Sequence, residues 1–328
     1  MKNSAAVFFL FALSLTAVGF GADSSGGVNC FGDPGWENGL AVVAIQTANG
    51  EAVELGTLRF FPSKGGKRGA RPPYWTLGTH YSKYDISAVK PKKLGGGFYE
   101  YKTPGEAVSI RRENGETILK LDATTGAQYD SPRKRNEPWP HLLVQRDFSP
   151  DEFLRLNAGA VLFSFDVRVA GWKNLMSDEE YDPGLHCAQS NIYFVIRNIN
   201  PDSPDYNDYI WFGIPVFDSR HEIVPAYQAL DGDPNVLGTG KLIDTLGGAQ
   251  AYEKIYAGQN PRSGDWCHGQ LDLAAEALEA LDAAKKFGFM PQTTLDDLAV
   301  VHINFGWEMP GIFDASLEIK NLKLVSEQ

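Results

Sequence analysis

Three cysteines in 328 residues are too few for a disulfide-stapled scaffold. The common catalytic signatures are missing too: no G-x-S-x-G elbow, no phosphate-binding P-loop, no H-E-x-x-H and no G-x-G-x-x-G after a strand. Cations are in the minority, with 30 Lys and Arg against 41 Asp and Glu and a formal net charge of −11. That balance argues against nucleic acid as a partner and is mildly unfavourable for a polyanionic substrate, unless a local basic patch overrides it. After the first two dozen residues no apolar run is long enough to span a bilayer, so a membrane-spanning protein is not expected.

The N-terminus reads as a secretory leader. Lys2 gives a positive start, Ala5 to Val18 is almost unbroken apolar sequence, and small residues follow at Gly19, Gly21 and Ala22. Residues 1–22 are therefore expected to be a cleavable signal peptide and the mature protein to be secreted or periplasmic. Residues 23–328 are expected to form one β-sandwich domain, with 130–140 as the place for a sub-boundary. The oligomeric state is left open. In an exported protein, three cysteines suggest one disulfide and one free thiol, and Cys187–Cys267 is the expected pair beside Cys30. His186-Cys187 and Cys267-His268 are mirror-image pairs that invite a zinc reading, but their spacing fits no compact zinc motif.

Strand signals dominate what is present. Ala41–Ile45, Thr57–Phe61, Ala107–Arg112, Thr117–Ala123, His141–Phe148, Val161–Val169, Asn191–Ile199 and Tyr209–Asp218 are short strand-like runs punctuated by Gly, Pro and Asn. Asp314–Val325 closes the chain as a strand pair or one long bent strand. Asn114-Gly115 predicts a tight hairpin turn. One segment, Leu271–Gly288, predicts a helix, with Leu271, Ala274, Leu278 and Leu281 on its apolar face and Gly288 as the C-terminal glycine. These features predict an all-β fold: a two-sheet antiparallel β-sandwich, most simply a jelly roll, with one accessory helix near 271–287.

Leu298–Glu308 carries the functional argument. Read with strand period, Val301, Ile303, Phe305 and Trp307 face a core, whereas His302, Asn304 and Glu308 share the opposite face. The same partition places Gln189, Asn191, Tyr193 and Arg197 together, then Tyr209 and Trp211, then His141, Gln145 and Asp147, interrupted by Leu143. If these strands are neighbours, their polar faces merge into one groove, with Trp307 buried and Trp211 on the groove. Aromatic faces beside amides suit pyranose rings, which offer apolar faces and many hydroxyls. The competing explanation is an ordinary solvent-facing sheet surface.

A glycoside hydrolase needs two carboxylates on one face. No E-x-D-x-E pattern is present, so Glu308 stands alone unless Asp147 or Asp218 approaches from another strand. A polysaccharide lyase needs a His or Tyr base, a proton donor and amide or Arg groups around a uronate. His141, His302, Tyr193 and Tyr209 are the catalytic candidates. Gln145, Gln189, Asn191, Arg197, Trp211, Arg220, Asn304 and Glu308 are the substrate-binding candidates. No cofactor is expected, although Asp231–Asn235 (DGDPN) offers oxygen ligands for a structural calcium ion.

Trp139-Pro140-His141-Leu142-Leu143, the run Tyr209–Asp218 and the closing Phe313–Leu322 resemble secreted bacterial jelly-roll (concanavalin-like) proteins of carbohydrate metabolism. The resemblance covers roughly Trp139 to the C-terminus and is one of architecture. The R-x-E-L-R, Q-I-H and Y-x-K-x-G-x-Y motifs of jelly-roll alginate lyases are absent. What the resemblance implies is a polysaccharide- or oligosaccharide-binding protein; if it is catalytic, the residue types above favour β-elimination over hydrolysis. A non-catalytic carbohydrate-binding or cell-envelope module is the alternative.

Overall fold

A computed structural model describes residues 28–45, 51–61, 71–95, 98–233 and 237–327. The segment expected to be a leader and Pro234 and Asn235 of the DGDPN run lie outside them. In chain order the strands are β1 (Leu40–Ala44), β2 (Val53–Leu58), β3 (Trp75–Gly78), β4 (Lys92–Gly95), β5 (Phe98–Lys102), β6 (Glu106–Glu113), β7 (Glu116–Thr124), β8 (His141–Asp147) and β9 (Leu154–Arg155). They continue as β10 (Val161–Asn174), β11 (Gln189–Asn198), β12 (Tyr209–Asp218), β13 (Tyr227–Asp233), β14 (Leu237–Thr245), β15 (Cys267–Asp272), β16 (Leu298–Glu308) and β17 (Phe313–Ser326).

Two sheets result. The larger has the order β13-β14-β12-β11-β16-β8-β3-β1-β2, with β9 on the end of β16; the smaller runs β15-β10-β17-β7-β6-β5-β4. Pairing is antiparallel except for β1 with β3 and β12 with β14. The fold is a mostly-β, two-sheet sandwich of jelly-roll type. Strands on either side of residues 130–140 share both sheets, since β8 pairs with β3 and β17 with β7.

Alternation builds the layers. On β10, Val161, Phe163, Phe165, Val167 and Val169 are essentially inaccessible to solvent, and they meet Ile210, Phe212, Ile214 and Val216 of β12 in one core. Each such side chain contributes about 1.5–3 kcal/mol by leaving water. Trp307 ties the layers together, because its indole donates to the Leu121 carbonyl of the other sheet at 3.0 Å. The Asn114-Gly115 turn forms as expected, with φ of 53° and 88° joining β6 to β7.

Several expectations are corrected. The helical segment begins later than its composition implies: β15 runs through Leu271, Asp272 caps the helix by accepting from Ala274 N–H, and α2 spans Leu273–Lys286. Its buried stripe uses Ala274, Ala277, Leu281 and Ala284, while Leu278 is exposed. A second helix, α1 (Gly248–Tyr256), buries Ala251, Tyr252, Ile255 and Tyr256. The expected Cys187–Cys267 disulfide is absent, and all three cysteines are free. Cys187 leads into the larger sheet, whereas Cys267 opens the edge strand of the smaller one. The zinc reading fails for the same reason: His186 is buried between Asp182 N–H and the Arg133 carbonyl, and His268 pairs with Asp166 outside. No helix among the described residues is long and apolar enough to cross a membrane.

Candidate functional site

The exposed face of the larger sheet carries a cavity of about 880 Å³. Strand register lays its floor down in rows. His141, Glu308, Gln189 and Asp218 stand opposite one another across β8, β16, β11 and β12. Gln145, Asn304, Tyr193, Gly213 and Thr245 form the next row, and Asp147, His302, Val195, Trp211 and Ile243 a third. The groove-face candidates are thus brought together, with Trp307 buried and Trp211 on the cleft.

Two candidates fall outside it. Arg197 and Tyr209 are paired one row past Trp211, beyond the cavity wall. Arg197 lies over the Phe153 ring, while Tyr209 packs against Trp211. Val301 is also displaced from its expected core position. A bulge in β16 opposite Val195 and Ile196 turns Val301 toward the groove side, where it packs with Val195, Ala299 and Trp211.

The first row has the chemistry. Gln189 donates its amide to Glu308 at 3.0 Å, and His141 Nε2 stands 4.0 Å from the same oxygen. Burial raises the Glu308 carboxyl above its ordinary range, although 23 % of its side-chain surface still opens to the cleft. Burial pushes His141 down to about 4, so it is neutral, and its Nδ1 is buried without a hydrogen-bond partner. Tyr193 is held protonated by burial, and its hydroxyl lies 3.3 Å from Thr245 Oγ1. Room for its ring comes from Gly213, where a Cβ would sit 2.6 Å from the Tyr193 ring. Arg220 forks onto Asp218 at 2.5–3.2 Å, which raises its already high pKa.

In the third row, His302 Nδ1–H donates to Asp147 at 2.7 Å, leaving Nε2 as the acceptor for the Asn304 amide at 3.3 Å. This bond is the main cause of the lowered Asp147 pKa. The Trp211 indole donates to Thr239 Oγ1, which in turn donates to Asp231.

Several cleft residues carry no strand-parity signal. His80 and Tyr81 follow β3 in a turn, and both rings pack against His141. His80 is lowered to about 4 by burial and then by His141. Trp139, in a Pro-rich approach, also stacks toward His141 and lies beneath Arg133, 4.6 Å from its ring centroid. Arg133 is 8 % exposed and backs this aromatic wall. Asp231, the head of the expected calcium loop, accepts from Thr239 N–H and Oγ1. Among the described residues no group of three or more His, Cys, Asp or Glu is placed to hold a metal ion.

No protein-family model matches the chain, and no curated protein matches it in sequence. Solved structures do resemble it. A family 12 xyloglucanase from Bacillus licheniformis aligns with a TM-score of 0.40 and 9 % identity, covering 73 % of this chain and 97 % of that one. The family 11 xylanase from Neocallimastix patriciarum aligns at 0.36 and 10 %, covering 73 % and 95 %. Endoglucanase cel12A from Rhodothermus marinus gives 0.36 and 10 %, covering 73 % and 96 %. At these identities and scores the chemistry of the cleft has to be argued from its own residues.

Proposed function

We propose that the protein binds a neutral polysaccharide along this cleft and hydrolyses it: Glu308 protonates the departing glycosidic oxygen while water, giving its proton to Asp218 of the same row, attacks the anomeric carbon. One observation carries the reading. The side-chain amides of Gln145, Gln189, Asn191 and Asn304 line the cleft, and the rings of Tyr81, Trp139 and Trp211 line it beside them. Sugar hydroxyls satisfy the first and pyranose faces stack on the second. Glu308 suits the acid role, since burial raises its pKa and so favours the protonated form that donation requires.

A uronate finds no free partner. Among the described residues Arg220 is the one Lys or Arg lining the cleft, and Asp218 already engages it. β-Elimination is the second reading, favoured by neutral His141 and protonated Tyr193 in one cavity. Incubation with neutral and uronate polysaccharides, following reducing ends and unsaturated-uronate absorbance together, tests both. Reducing ends alone support hydrolysis, and rising absorbance supports elimination. Retention on a glycan with neither signal assigns the cleft to a binding module, and no response to any glycan overturns the carbohydrate reading.

A further inference from the structure

Tyr81 stands out among the cleft residues for its backbone. Its φ is +58°, a left-handed conformation that an aromatic L-residue adopts at a cost. The turn is held there on both sides. Tyr81 N–H donates to the Ile45 carbonyl at 2.8 Å, and Ile45 N–H donates to His80 Nδ1 at 3.1 Å. The His80 carbonyl accepts from His141 N–H at 3.0 Å, fastening the turn to β8. The consequence is a ring on the cleft wall, 5.9 Å from the His141 ring and on the same histidine as Trp139. Its hydroxyl makes no hydrogen bond with another described residue. Burial raises its pKa, so it remains a donor.

We infer that Tyr81 is a substrate-binding residue, held in strain so that its ring and free hydroxyl grip the sugar unit lying beside Glu308 and His141. Strain without function would be relieved by glycine or asparagine, the residues that tolerate this conformation. A turn that could be built more stably, yet holds an aromatic against the acid–base row, fits a recognition role.

The inference rests on the proposed saccharide-binding cleft, and the test separates the two. Wild type, Tyr81→Gly, Tyr81→Asn and Tyr81→Phe are compared by thermal unfolding and by affinity for whichever neutral oligosaccharide the wild type retains. Tyr81→Gly and Tyr81→Asn should unfold at or above the wild-type temperature while their Kd rises at least tenfold. Tyr81→Phe should lose less, in proportion to the hydroxyl's share. Wild-type Kd in both ring-less variants overturns the inference while leaving the cleft reading intact. A lowered unfolding temperature in both overturns the claim of strain. A wild type that binds no saccharide overturns the cleft reading itself, and this inference with it.

Discussion

The Gln189 amide donates to the Glu308 carboxyl at 3.0 Å from the directly opposed position on the neighbouring strand. The pair lies in the row that also holds His141, so a raised carboxyl is oriented by one neighbour and faced by a neutral imidazole. Backbone register between β11 and β16 therefore fixes the geometry of the acid without loop ordering.

Glu308→Gln should keep the fold and the contact with Gln189 while removing the proton donor. Cleavage should fall by about 10²–10⁴-fold, the usual worth of a general acid, with oligosaccharide affinity nearly unchanged. Reducing-end assays beside calorimetric titration separate the two effects.

Gly213→Ala should weaken binding more than it destabilises the fold. The new Cβ would meet the Tyr193 ring and Thr245 Oγ1 at 2.6 Å, so the tyrosine must move off the cleft floor. An affinity loss with a retained cooperative unfolding transition is the expected result. Gly306→Ala is the contrasting control: its Cβ would lie 2.1 Å from the Leu142 carbonyl at φ +139°, and it should compromise folding itself.

Glu106 lies outside the cleft lining, beside Ser82, and burial raises its carboxyl to about 8. The folded pKa exceeds the unfolded one, so its contribution to stability is complete below about 4.5 and is lost as pH rises toward 8. Glu106→Gln should match the wild type near pH 4 and exceed it by a few degrees in Tm above pH 8. Unfolding scans across that range read this directly.

His80 and His141 act with the opposite sign. Both are lowered to about 4 by burial, so their contribution is present above about 6.5 and is lost as pH falls through 4. His141→Gln should therefore flatten the acid limb of the stability profile and leave the alkaline limb, where Glu106 titrates, unchanged.

Parity was enough to find the groove where strands were regular. Phe163, Phe165 and Val167 alternate without interruption, and the register then carries Gln145, Asn304 and Tyr193 into one row. It failed at Val301, because a bulge adds a residue that no local composition announces. It failed for Arg197 and Tyr209 because a shared face does not say where along the strand a cavity ends. His80, Tyr81 and Trp139 sit in turns, where no period exists to be read and position depends on tertiary hydrogen bonds such as Ile45 N–H to His80. The nine-residue helix α1 is too short for its apolar pairs, Ala251-Tyr252 and Ile255-Tyr256, to stand out from strand-like sequence.

The central claim is tested most directly by incubating the protein with a panel of neutral polysaccharides and with a polyuronate, measuring new reducing ends and unsaturated-uronate absorbance in the same samples. New reducing ends from a neutral glycan, abolished in Glu308→Gln and unaccompanied by absorbance, are the predicted result. Absorbance rising on the polyuronate, with full activity in Glu308→Gln, would contradict it.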